Sequence, residues 1–181
     1  MEARGIDITR DGVDYARNAL GVNAECGDYL ALRTHPVDII AMWDTVEHLP
    51  RPDLFIAKAA ADLKPGGVLA ITTGDVGSLN ARMRGSRWRM IHPPTHLHYF
   101  SVPTLSRLLQ RNGLEVIHVS HPGISRRLHA ILYMVLDQRL GAHRLHRVAT
   151  RVAPNIAVTL NLLDIMFIVA RKPAPVSARG T

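Results

Sequence analysis

Three aspartates, Asp7, Asp28 and Asp44, each close a short stretch that reads as a strand: GID, AECGD and VDIIAMWD. In an open parallel sheet, ligands sit beyond the carboxyl ends of the strands, so carboxylates in these places can face one. Asp7 is placed to accept hydrogen bonds from a ribose diol. Asp28 follows Gly27, which lets the backbone turn closely past a planar base. An aspartate at a strand end is common as a turn or cap residue, but three in chain order make a narrower pattern. An acidic residue like Asp7 ordinarily stands about 20 residues after a glycine-rich turn, whereas only Met-Glu-Ala-Arg precede GIDIT here.

A second group of side chains could act on a substrate. Glu47 and His48 follow the third strand candidate in WDTVEHL. An imidazole titrates near neutrality, so His48 can take a proton from a reacting group or can orient its loop. Farther on, RMRGSRWRMIHPPTHLHYF sets Arg82, Arg84, Arg87 and Arg89 around Trp88. These suit an anionic or aromatic acceptor, or form a solvated basic loop with Trp88 in the core. His92, His96 and His98 invite a metal reading. No cysteine or carboxylate stands near them in the sequence to complete a tetrahedral set, and Pro93-Pro94 implies an extended loop, so no metal is expected.

The elements that must carry these residues alternate between strand and helix. After the apolar run Arg4–Ile8, Thr9 can cap a helix with Val13, Ala16 and Leu20 on one side, ended by Gly21. Val22–Cys26 is a second strand, and the continuous apolar run Val37–Trp43 predicts a strand buried on both faces. Pro52 and Asp53 suit a first helical turn, and that helix runs to Leu63. Lys64-Pro65-Gly66-Gly67 breaks it before the strand Val68–Thr73. Ser101 caps a helix with Leu105, Leu108 and Leu109 inward, ended by Asn112-Gly113, and Leu114–Val119 follows as a strand. Leu162–Ala170 is the last strand. This alternation predicts an α/β fold with a mostly parallel sheet and helices on both faces. Residues 76–100 read as a lid loop and residues 121–160 as a helical cap. Residues 1–172 form one domain, and 173–181 read as a disordered tail.

Composition narrows the class. A chain of 181 residues with 47% hydrophobic and 20% charged residues is long enough for one packed core and is not broadly disordered. One cysteine, Cys26, excludes an internal disulfide framework; with no basic-then-apolar leader, a cytoplasmic location is expected. Charge is uneven: residues 1–75 hold 12 acidic and 7 basic side chains, and residues 76–181 hold 3 and 15. The basic half suits an anionic partner or a solvated face. The apolar, basic stretch 126–151 leaves peripheral membrane contact and a homo-oligomer open.

Taken in order, GIDIT, the GD of CGDYLAL, WDTVEHL, LKPGGVLAITT and HPPTHLHYFSVPTLSRLLQRNGLEV resemble the class I S-adenosylmethionine-dependent methyltransferases. The branch is the one that includes ubiquinone-biosynthesis-like small-molecule enzymes. The resemblance spans residues 4–120 and implies a Rossmann-like sheet with S-adenosylmethionine as cofactor and a small-molecule acceptor; nucleic acid is not expected. It implies that Asp7 holds the ribose hydroxyls and Ile8 packs on the adenine. Asp28 would face the adenine amino group, with a backbone contact from Tyr29. Asp44 would lie near the methionine moiety. Glu47 and His48 would lie on the acceptor side, and the segment with Trp88, His92 and His96 would fold over it.

The pattern departs from that family at its start. The first strand-helix unit and its glycine-rich loop, which should precede GIDIT, are missing. The expectation is a truncated methyltransferase with an open sheet edge beside the Asp7 strand, the alternative being a catalytically inactive binding or scaffold module on the same fold.

Overall fold

The computed structural model describes residues 2–174; the expected tail falls outside the described residues from 175 onward. Strand β1 (Gly5–Asp7) leads into helix α1 (Arg10–Leu20), which ends at Gly21 with φ 64°, a left-handed turn that favours glycine. Strand β2 (Ala24–Cys26) pairs in parallel with β1, Asp7 opposite Cys26. Among the described residues, neither β1 nor β2 pairs with any other strand, so the outer edge of β1 is open. This small unit has little core of its own: only Val13 and Ala24 are buried among residues 2–28.

The main sheet has the order β3-β4-β8-β5, with β3 (Val37–Trp43), β4 (Leu63–Gly74), β5 (Glu115–Ser120) and β8 (Ile165–Arg171). β3 and β4 are parallel, and β8 runs antiparallel between β4 and β5, so three of the four strands share a direction. Helices α2 (Pro52–Asp62) and α4 (Val102–Arg111) cover one face. There Ile56, Leu105 and Leu109 meet Leu69, Ile71, Met166 and Ile168 in the core. Ser101 accepts from the Thr104 N–H and Thr104 accepts from the Ser101 N–H, a reciprocal cap that fixes the start of α4. LKPGG, expected to break the chain, is absorbed as an irregularity within β4, where Lys172 exchanges backbone hydrogen bonds with Gly66 and Gly67.

Three expectations need correction. Strand β3 is not buried on both faces: Met42 is buried, but Ile39 is 55% and Trp43 56% exposed. Among the described residues no helix covers that face of β3, and Trp43 packs instead on Phe167 of β8, with ring centroids 5.7 Å apart. The stretch 76–100 is not an open loop, because it carries the short helix α3 (Leu79–Arg84) and is anchored by a buried Trp88. The cap is not purely helical. Its two ends zip into an antiparallel pair, β6 (Ile124–Arg127) with β7 (Ala157–Leu160), clasped by the Ser125 and Thr159 hydroxyls. Helices α5 (Leu128–Leu132) and α6 (His143–Val152) lie between. No helix among the described residues is long and apolar enough to cross a membrane.

Candidate functional site

Asp7 stands exposed at the end of β1. Its Oδ1 accepts from the Thr9 N–H at 2.7 Å and the Thr9 hydroxyl at 2.6 Å. These bonds, the hydroxyl first, hold its carboxyl below the usual carboxylate range. One oxygen thus shapes the strand-to-helix turn, and the other is left to an incoming donor. Gly27 N–H donates to the Asp7 carbonyl at 2.9 Å, which ties the ends of β1 and β2 together one residue before Asp28. Asp28 folds its own loop by accepting from the Leu30 N–H. Ile8 is exposed next to Asp7 and offers an apolar surface to a flat ring.

Tyr29 turns away from this junction. Its hydroxyl donates to Asp62 of α2 at 2.8 Å, its ring packs on Phe55, and Lys58 lies 5.0 Å above it. Burial, then the Asp62 bond, pushes its phenol well above the ordinary range. Tyr29 therefore joins the loop after β2 to helix α2 with its side chain.

Asp44 closes β3 in a left-handed conformation, φ 45°, which aspartate tolerates better than most residues. Its N–H donates to the Thr72 carbonyl, and its Oδ1 accepts from the Thr72 hydroxyl at 3.1 Å. The sharp bend sends the chain into a single 3-10 turn, Val46–His48. Glu47 is 2% exposed there, and both of its carboxylate oxygens lack a hydrogen-bond partner. Its carbonyl accepts from the Leu97 and His98 N–H groups, which docks the 92–98 segment onto this turn.

That docking brings three imidazoles together. His48 Nδ1 lies 2.7 Å from the Thr95 carbonyl, and His96 Nδ1 lies 2.8 Å from the Met90 carbonyl. The His48 and His96 rings meet edge to face, with centroids 4.7 Å apart, and His92 lies 6.0 Å from His96. A cleft beside them is lined by Glu47, Thr73, Trp88, Met90, His96 and Tyr99.

Of the two readings of Trp88, toward an acceptor or into the core, the structure shows the second, with the side chain 2% exposed. Its indole N–H donates to Asp164 Oδ2 at 2.8 Å, where Asn80 also donates, and Arg89 donates to Oδ1. Burial pushes the Asp164 carboxyl up, but Arg89, Trp88 and Asn80 together outweigh it and hold it below the usual range. Asp164 has no distinguishing mark in the sequence, since it stands within the apolar run LLDIMFIVA.

The sheet β3-β4-β8-β5 with helices packed on it makes a Rossmann-like α/β domain whose acidic strand ends and imidazole-carboxylate cluster lie at separate turns. The family signature described as a methyltransferase domain matches residues 2–119, more than half of the chain. The chain belongs to this family, within the class I S-adenosylmethionine-dependent methyltransferases.

Among curated relatives, the ubiquinone biosynthesis O-methyltransferase of Chelativorans sp. is 29% identical over 149 residues, 77% of this chain and 57% of that protein. The same enzyme from Coxiella burnetii is 34% identical over 76 residues, 38% of this chain and 32% of its own length. The chain thus spans between a third and three fifths of these relatives.

Solved structures show the fold. A possible histamine N-methyltransferase from Thermotoga maritima aligns with TM-score 0.60 and 17% identity, covering 93% of this chain and 72% of that one. The N-methyltransferase NodS of Bradyrhizobium japonicum, solved with S-adenosylhomocysteine, gives 0.54 and 13%, covering 94% and 66%. The [4+2]-cyclase SpnF gives 0.59 and 20%, covering 97% and 67%, so this fold carries other chemistry too.

Proposed function

We propose that the chain serves S-adenosylmethionine-dependent methyl transfer to a small-molecule acceptor. The observation that carries the reading is the pair of adjoining acidic strand ends, Asp7 and Asp28, joined through the Gly27-to-Asp7 backbone bond. Among the described residues only one Asp7 carboxylate oxygen has a partner, and Thr9 keeps the group ionised and aimed, which fits a ribose diol. Ile8 supplies an exposed apolar surface for the adenine, Asp28 the polar edge, and Asp44 the end of β3 for the methionine moiety. S-adenosylmethionine, when bound, supplies an activated methyl group on a sulfonium.

The acceptor side lies at the turn after β3. A carbonyl only accepts, so His48 Nδ1 carries the proton that it shares with Thr95, and Nε2 carries the lone pair. That lone pair can take a proton from an acceptor hydroxyl or amine. Placement and exclusion of water supply the rest, because in-line transfer to an oriented nucleophile needs little covalent help. The relatives named ubiquinone biosynthesis O-methyltransferase support an oxygen atom as the acceptor.

Isothermal titration with S-adenosylmethionine and S-adenosylhomocysteine tests the reading; saturable binding that Asp7→Ala weakens supports it, and no binding at millimolar ligand refutes it. A second reading, a binding module on the same fold, is favoured by the exposed aromatic row Trp43-Phe167-His118 on the uncovered sheet face. It gains support if neither ligand binds while the fold is intact by circular dichroism.

A further inference from the structure

Two helices of this chain turn exposed faces of opposite charge outward. On α1, Asp11, Asp14, Tyr15 and Asn18 are exposed, while Val13 is buried and Ala16 half-buried on the opposite side. On α6, Arg144, Arg147, Val148 and Arg151 are exposed, while His146, Ala149 and Thr150 are half-buried. Both exposed sets fall at positions i, i+3, i+4 and i+7, which lie on one side of a helix. The two faces therefore share an outline and differ in sign.

The surroundings carry the same contrast. Residues 2–28 hold six acidic and three basic side chains. Two of the basic ones are engaged within that unit, Arg4 by Glu25 and Arg17 by the Ala24 carbonyl. Residues 121–160 hold six arginines against one acid, Asp137, which pairs with His143. Among the described residues, none of Asp11, Asp14, Arg144, Arg147 and Arg151 has a salt-bridge partner. A guanidinium fork matches a carboxylate, so arginines at this spacing complement acids at the same spacing. A groove of about 450 Å³, lined by residues 141–145 with Arg144 among them, has room for an exposed ring such as Tyr15.

We propose that the α6 face docks on the α1 face of a second copy of this chain. Within one chain α1 packs on β1 and β2, and α6 packs on the rest of the cap, so both outer faces stay open. Charge complementarity favours a second copy over an anionic lipid surface, which would engage the arginines and leave the acidic face unused. Each copy carries both faces, so the contact closes a reciprocal dimer or continues head to tail. The partner's cap then braces α1, which belongs to the unit with little core of its own. The surface goes beyond the proposed methyl transfer and stands without it, since it uses none of Asp7, Asp28 and His48.

The test is sedimentation velocity on the full chain over a range of concentrations, in about 50 mM and about 500 mM sodium chloride. The expected result is concentration-dependent association in low salt that weakens at least about tenfold in high salt. Asp11→Arg with Asp14→Arg, and separately Arg144→Asp with Arg147→Asp, each weaken low-salt association at least about tenfold, because like charges then oppose. Circular dichroism checks that both variants fold. Mixed in equal amounts they associate again, since the recharged α1 of the first meets the recharged α6 of the second. A wild type that stays monomeric in low salt, association that salt does not weaken, variants that associate as wild type does, or a mixture that stays apart overturns the proposal. If a variant fails to fold, the salt dependence of the wild type still decides. A monomeric wild type that binds phosphatidylglycerol vesicles assigns the arginines to a lipid surface and overturns it too. Because no S-adenosylmethionine is needed, failure here is separate from failure of the methyltransferase reading.

Discussion

Removing the Asp164 carboxylate is the sharpest test of how the 76–100 segment is held. In Asp164→Ala the Trp88 indole N–H loses its acceptor while buried, Asn80 loses its acceptor, and Arg89 loses its partner. A hydrogen bond to a charged group contributes about 1.5–3 kcal/mol. Arg89 is 41% exposed, so solvent screening reduces its share to about 0–1 kcal/mol. Trp88 and Asn80 carry the remainder, and the loss comes to about 3–5 kcal/mol, the range for removing one partner of a buried charged pair. For a chain of this size the melting temperature falls by roughly 6–20 °C, followed by circular dichroism.

Trp88→Phe gives the control. It costs less in the Asp164→Ala background than in the wild type, with a coupling of about 1–3 kcal/mol, because the N–H bond is already gone. The pH dependence has a fixed sign. Burial pushes the Asp164 carboxyl up, but its donors hold it below its ordinary 3.8, so its stabilisation is present above that pH. It is lost as pH falls further through the folded value. A melting shift smaller than about 3 °C, or effects of the two variants that add within about 0.5 kcal/mol, would refute this account.

Other outcomes follow from single contacts. Asp7→Ala weakens S-adenosylmethionine by about 1.5–3 kcal/mol in calorimetry, the scale for hydrogen bonds to a charged acceptor; an unchanged affinity removes Asp7 from the site. Tyr29→Phe deletes the bond to Asp62 and lowers stability by about 1–2 kcal/mol in urea melts. Ser101→Ala breaks the reciprocal cap of α4 and costs about 1 kcal/mol, with no change in ligand binding. Leu109→Ala, in the centre of the core, costs about 2–5 kcal/mol.

What the residues told in advance was local. Helix α4 could be read because its cap at Ser101, its inward leucines and its Asn112-Gly113 end all lie within a dozen or so neighbouring positions. The strand-end aspartates could be read for the same reason, since a strand, its last residue and the next helix are contiguous. Strand β3 misled because an apolar run reports hydrophobicity and not which neighbours exist to cover it; Ile39 and Trp43 stay more than half exposed, with Phe167 beside Trp43. Trp88 could not be assigned between an acceptor and the core because its partner, Asp164, arrives from just before β8 at the far end of the chain. The Glu47-His96 encounter was hidden the same way, its carboxylate and imidazole coming from separate segments joined by backbone bonds. The cap's hairpin was missed because cross-strand partners such as Ser125 and Thr159 are separated by two helices.

The thin core of the β1-α1-β2 unit has a consequence for how any nucleotide would be held. With only Val13 and Ala24 buried among residues 2–28, this unit is expected to open at a much lower free energy than the sheet built on Leu69, Ile71 and Ile168. Its amides should exchange with solvent early, while those of β4 and β8 wait for global unfolding. Asp7 and Asp28 both stand on this weaker part. A ligand gripped there must order the very segment that grips it, so part of its interaction energy goes into local folding. Affinity would then rise with any change that stiffens residues 2–28, even one that touches no ligand atom.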